Sequence, residues 1–242
     1  MARAALREPD LPVAQLDGPS RELRLLVDYR ESLVKDRTAA QNRLRWRLHE
    51  LEPGYDPPPG SLNRYKTLDE IDQLLAAHTS MVASLAEREV VRIRELTREA
   101  NQLERDIAQR VMELVPTLLE IPGCGGLTAA KLVGEAADIT RFKKSRDAYA
   151  MWAGTAPIPV WSANNQRFRL NRGGNRQTNA AIHRIAITQI RIHPDAQTFI
   201  TRRLETGSTK REALRLLKRK LTNVVYRTLL NDAQQPALAD AA

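Results

Sequence analysis

Ser162 is followed within 14 residues by four arginines, Arg167, Arg169, Arg172 and Arg176, in the run AGTAPIPVWSANNQRFRLNRGGNRQTNAAIHR, residues 153–184. A serine hydroxyl is a poor nucleophile at neutral pH. Its attack on a phosphodiester requires that the charge developing on the phosphate oxygens be neutralised, which arginine forks and helix N-termini do. Pro157 and Pro159 hold the entry extended, so Ser162 is expected on an exposed strand or loop. Arg167 and Arg169 then share one side of an extended segment, and the turn from Arg172 to Asn175 leads into a helix N-terminus. By type and spacing, these residues fit either attack on a phosphodiester or simple phosphate binding.

A second candidate lies upstream in LLEIPGCGGLTAAKLVGE, residues 118–135, which has the form of a helix-hairpin-helix. Pro122 stops one helix, and Gly123, Gly125 and Gly126 let the backbone turn tightly before Leu127 and Thr128 start the next. Backbone N–H groups at such a helix N-terminus can hold a phosphate with no side chain involved, a grip that ignores base sequence. Lys131, Arg141, Lys143 and Lys144 adjoin the turn and extend the basic surface. The same residues would also serve as a plain turn between packed helices.

Other chemistry is thinly supplied. His183 falls on the helix after the serine segment, while His49, His78 and His193 are isolated in the sequence. Asp138 and Asp147 do not form a two-metal carboxylate set. The single cysteine, Cys124, excludes an intramolecular disulfide and a cysteine-built zinc site.

The elements that must position these residues are helical. Aromatic residues make up only 5% of the 242, and hydrophobic residues 42%, which favours aliphatic helix packing. A helix capped by Ser20 is predicted over 20–51, with Leu26, Leu33, Ala40 and Leu44 on one face. The run EPGYDPPPG breaks it, and a second helix opens at the capping-box spacing of Thr67 to Glu70. Its later part carries a heptad-like seam of Ile93, Leu96, Ala100, Leu103, Ile107 and Leu114, interrupted by Arg110. Such a hairpin packs on itself or pairs chains as a coiled coil. Further helices are predicted near 145–152, over 175–191, after Pro194 and over 209–230, with an irregular stretch at 154–174. The expected chain is mainly α. A lead-in at 1–19 and a helical hairpin or coiled coil at 20–115 precede a helical domain at 116–232, which bears the helix-hairpin-helix and the serine loop, and a disordered tail closes the chain at 233–242.

Charge divides along the same line. Residues 1–120 hold 18 Lys and Arg against 21 Asp and Glu, whereas residues 121–242 hold 20 against 8. Between Ile139 and Pro194 there are ten basic residues and one acid, Asp147. A field this one-sided favours a polyanion, through phosphate contacts and counterion release. No apolar run approaches the roughly 20 residues that span a bilayer, and MARAALREPD has no secretory core, so a cytoplasmic protein is expected.

Three stretches in this order and spacing, IPGCGGLTAAKLVGE, RFKKSRDAYAMWAGTAP and RLNRGGNRQTNAAIHRIAITQIR, resemble the C-terminal domain of the insertion-sequence 110 transposases, the IS116/IS110/IS902 group. Residues 20–114 are similar to the coiled-coil segment that precedes that domain. The resemblance implies DNA transposition by strand exchange, with Ser162 as the nucleophile that becomes joined to DNA and the arginines positioning phosphates. It implies DNA and a structured guide RNA as partners, and self-association through the coiled coil. It also implies Mg2+ held by four acidic ligands of a resolvase-like N-terminal domain. MARAALREP resembles the end of that domain's last helix, so the expectation is a truncated copy with no cofactor of its own. The family's serine usually stands in Ser-Ser-Gly, whereas Trp161 and Ala163 flank Ser162 here. A non-catalytic nucleic-acid-binding or oligomerisation module is the alternative.

Overall fold

Apolar residues three and four apart build nearly all of the structure, a computed structural model that describes residues 17–142, 145–162 and 165–239. In chain order its helices are α1 (Pro19–Leu51), α2 (Tyr65–Leu75), α3 (Met81–Leu114), α4 (Pro116–Leu119), α5 (Gly126–Ala136) and α6 (Arg146–Trp152). Strands β1 (Ile158–Ser162) and β2 (Asn165–Arg169) follow, then α7 (Arg176–Ile192), α8 (Pro194–Glu205) and α9 (Lys210–Ala239). The chain divides into two compact units, one formed by Leu26–Asp106 and the other by the remainder of the described residues.

In the first unit α1 and α3 run antiparallel. Arg30 bonds Glu104 at 2.5 Å and the Ala100 carbonyl at 3.2 Å, while Arg43 forks onto both oxygens of Glu89 at 2.7 and 3.0 Å. Positions rise along one helix as they fall along the other. Ala40, Leu44 and Leu48 of α1 meet Ala83, Ala86, Val90 and Ile93 of α3 in one core. Leu68, Ile71 and Leu75 of α2 fill the same core, and Arg94 of α3 pairs with Asp69 and Asp72 of α2 at 2.8 and 2.5 Å. The unit is therefore a three-helix packing, not a bare hairpin. The expected second helix is two helices, because Ser80 caps α3 by accepting from the Ala83 N–H at 3.2 Å. Thr67 lies inside α2 and caps nothing.

The seam of α3 is buried within the chain. Ile93, Leu96, Ala100 and Ile107 are at most 2% exposed, while Leu103 and Leu114 are half-buried. Val111 takes the place expected of Arg110, which is exposed and pairs with Glu22 at 2.6 Å. That one-residue drift is what an unsupercoiled 3.6-residue helix does to a seven-residue repeat. Truncating Ile71 to alanine is expected to cost about 2–5 kcal/mol in chemical denaturation. Met81→Ala, at a position 74% exposed, should stay within about 0.5 kcal/mol.

In the second unit α5 and α7 pack together, and α9 runs past α4, α6, α7 and α8. Ser145, Asn175 and Thr209 start their helices as expected. Thr209 and Glu212 bond each other's backbone N–H reciprocally, at 2.8 and 3.3 Å. Helix α9 runs to Ala239, into the stretch expected as a tail. The segment expected to be irregular contains the fold's two-stranded sheet, β1 antiparallel to β2. Among the described residues no helix is long and apolar enough to cross a membrane.

Candidate functional site

The β1–β2 hairpin is held at its base by a pinched neck. Gly174, at φ 87, lies so close to α6 that an added Cβ would sit 2.5 Å from the Trp152 carbonyl oxygen and 2.6 Å from the Gly154 nitrogen. A Cβ on Gly154, at φ 66, would fall 2.6 Å from the Gly173 carbonyl oxygen. The glycines of Arg172–Gly173–Gly174–Asn175 are thus there to let two backbone segments touch. Bonds lock the crossing: Asn175 N–H donates to Trp152 O at 2.6 Å. The Asn179 amide donates to the carbonyls of Ala153 and Gly154 at 3.0 and 2.9 Å. Beneath them Tyr149 is fully buried against Phe142, Trp152 and Tyr226, and Thr222 donates to Thr155 at 2.8 Å.

Ser162 ends β1 and pairs with Asn165 across the hairpin, while Val160 pairs with Arg167 and Ile158 with Arg169. Positions directly opposite in an antiparallel pair share a face, and the period is two. Positions 162, 167 and 169 therefore belong to one face of the ribbon. Trp161 falls on the other face, 67% exposed. Arg172 and Arg176 are exposed at the neck and at the first turn of α7.

The glycine turn at 121–126 is built differently from the expectation. Gly123 has φ 83, but an added Cβ would meet Thr188 at 2.9 Å, and Gly126 is packed on Ala108 at 3.2 Å. Gly125 alone of the three has open space around it, at the N-cap of α5. Gln189 of α7 donates to Pro122 O at 2.8 Å, so the turn is clamped to α7. Lys131 is 6% exposed and donates to Gln177 at 3.0 Å, which ties α5 to α7 and withdraws its ammonium from the surface. Its helical pattern hid this, since the position lies on the face that meets α7. Arg141 is exposed and stacks its guanidinium on Phe142 and Trp152, 4.7 and 4.9 Å from the ring centroids. Lys143 and Lys144 lie outside the described residues.

The carboxylates nearby are already engaged. Glu135 is buried and accepts from Asn175 at 2.5 Å, with Arg24 at 3.8 Å. Asp138 accepts from Thr140, and Asp147 pairs with Arg219. Among the described residues no three His, Cys, Asp or Glu side chains gather where they could hold a metal ion. Asn175 both caps α7, accepting from Thr178 N–H at 2.8 Å, and satisfies Glu135. Asn175→Ala is expected to cost about 2–3 kcal/mol, a lost cap plus a charged acceptor left short of a donor. Asn175→Ser should recover the cap's share alone in urea titrations.

A basic cavity of about 470 Å3, not anticipated from the sequence, lies at the foot of the hairpin. One wall is the neck, with Ala156, Pro157, Arg169 and Leu170, and the other is Arg203, the turn at Gly207, and Glu212, Arg215, Lys218 and Arg219 of α9. Lys218 donates to Asn179 at 2.5 Å, and burial, then the charge of Arg215, pushes its pKa below the ordinary lysine value. His183 is likewise lowered by burial, then by Lys218. The strong basicity of the last helix was the available signal, but the cavity joins segments some 50 residues apart in sequence.

Residues 115–201, which hold the glycine turn, the neck and the hairpin, match the Transposase IS116/IS110/IS902 family. The chain is also similar to the insertion element IS110 uncharacterized 43.6 kDa protein of Streptomyces coelicolor, at 25% identity over 259 residues. That alignment takes in 88% of this chain and 64% of the length of the relative. The match to the IS116/IS110/IS902 transposase family thus falls on the segment that carries the glycine turn, the neck and the hairpin, and the chain spans less than two thirds of the length of the relative it resembles.

Proposed function

We propose that this chain supplies the nucleic-acid-binding and nucleophile-bearing part of an insertion-sequence transposase, in which the Ser162 oxygen bonds the phosphorus of a DNA phosphodiester during strand exchange while one P–O bond of the DNA breaks and its oxygen leaves, protonated, as a free hydroxyl end. The observation that carries this reading is the hairpin of the family-matched segment, which sets positions 162, 167 and 169 on one face above a glycine-pinched neck. Arg167, Arg169, Arg172 and Arg176 supply positive charge for the phosphates. Arg141 and the open Gly125 turn extend the basic surface toward flanking duplex or a structured guide RNA. Activation of the serine would fall to the acidic metal-binding domain that the family resemblance implies.

Binding is the step this chain performs by itself. Affinity for DNA or structured RNA should fall steeply with salt, with a log–log slope of about −0.9 per phosphate contacted on duplex DNA. Fluorescence anisotropy over a salt series tests it, and a flat response would reject the reading. A second reading is a non-catalytic binding module, favoured by the engagement of Glu135, Asp138 and Asp147 in structural bonds. A covalent DNA adduct separates the two.

A further inference from the structure

The cavity at the foot of the hairpin is lined by five cationic side chains and one carboxylate. The carboxylate, Glu212, is engaged as the cap of α9, accepting from both the N–H and the hydroxyl of Thr209 at 2.8 Å. Arg219 is paired with Asp147 and Asn223. Lys218 donates to the neutral amide of Asn179, and Arg203 has a buried Nε with no hydrogen-bond partner among the described residues. A cluster of like charges around one half-open cleft repels itself and attracts an anion, and an unpartnered buried donor adds to that pull.

We propose that this cavity is a phosphate-binding pocket that grips one phosphodiester of a nucleic-acid strand away from the reacting one. The proposal rests on the nucleic-acid-binding reading above and adds a site to it. Arg203 and Arg215 are the ligands that reach the phosphate, Lys218 adds charge from the floor, and Pro157 and Leu170 offer an apolar rim to the sugar. Pro157 and Ser162 are five residues apart, roughly 16 Å along a strand. That distance equals about five base-pair steps of duplex at 3.4 Å per step. The pocket therefore holds a different phosphate from the one Ser162 attacks, and Arg169, which lines the pocket and pairs with Ile158, serves the stretch of strand between the two. The pocket fixes the strand a few nucleotides away and so sets which phosphodiester arrives at the hairpin.

The full chain is titrated with a fluorescein-labelled 20-nucleotide single strand from low to moderate salt. Arg203→Gln/Arg215→Gln is compared with Arg202→Gln/Arg227→Gln, which removes equal charge from exposed positions that do not line the cavity. The first double variant should bind about tenfold more weakly at low salt, with a slope shallower by roughly 0.7, the loss of one phosphate contact on a single strand. The second should lose less than about threefold and keep its slope. Arg203→Lys/Arg215→Lys, which restores the charge, should recover the slope and so separate lost contact from lost folding. Equal losses in the two glutamine variants would overturn the pocket while leaving nucleic-acid binding intact. A wild-type chain that does not bind the strand would overturn the functional reading and the pocket with it.

Discussion

Gly174→Ala is expected to destabilise the hairpin-bearing unit by more than about 4 kcal/mol, against about 1–2 kcal/mol for Gly207→Ala. Both glycines are left-handed, at φ 87 and φ 85. Around Gly207 there is nothing within 4 Å of an added Cβ, so alanine there meets only the intrinsic left-handed penalty. At Gly174 the new methyl would meet Trp152 O at 2.5 Å and the nitrogen and Cα of Gly154 at 2.6 and 2.9 Å. All three are backbone atoms, which cannot rotate away as a side chain could. Relief requires the neck to open, which breaks the Asn175–Trp152 and Asn179–Gly154 bonds and loosens the cap of α7. Urea denaturation followed by far-ultraviolet circular dichroism measures both variants. Equal midpoints for the two would show that the neck is not closed as described.

Ser162→Ala should abolish covalent attachment to DNA while leaving affinity within about twofold, because one neutral hydroxyl adds little to a grip dominated by charge. The loss should be on the order of a thousandfold or more, as expected when the nucleophile of a covalent catalyst is removed. On the proposed reading, the assay includes the acidic metal-binding domain that the family resemblance implies, supplied in trans. The chain alone is expected to form no adduct even with magnesium, since Glu135, Asp138 and Asp147 are bound to Asn175, Thr140 and Arg219. An adduct that survives Ser162→Ala would remove Ser162 from the chemistry. An adduct formed by the unassisted chain would remove the requirement for a second domain.

Much of this fold could be read from local signals whose physics is local. Ser145, Asn175, Pro194 and Thr209 mark helix starts because a cap or a fixed φ acts within one turn. The break between α2 and α3 escaped because the residues before Ser80, including Ala76 and Ala77, are good helix formers. Thr67 supplied a false cap three residues before Glu70, while Ser80, the real one, has Ala83 at the capping-box position. Extended backbone was expected here, but the pairing of the hairpin escaped because its strands are five residues each, β1 is interrupted by Pro159, and β2 has only Phe168 as an apolar residue, set between two arginines. Serine and arginines could be picked out by type, but Lys131, Arg203 and Lys218 could not be sorted. Burial and partners for those three come from segments that meet only in the folded chain.

The closed neck also makes the hairpin an interchangeable cassette. Ile158 and Arg169 are directly paired, so the ends of the excursion already lie within one turn of each other. Cutting between them and joining the ends with a two-residue Asn-Gly turn would leave Asn175, Asn179 and the buried Tyr149 cluster untouched. Lengthening the insert should be nearly as cheap, since each doubling of a closed loop adds only about 0.6 kcal/mol. Relatives could then differ widely in the length and chemistry of this excursion while keeping one frame. For the protein engineer, the same neck is a docking port: a foreign loop can be grafted there without redesigning the helices that carry it.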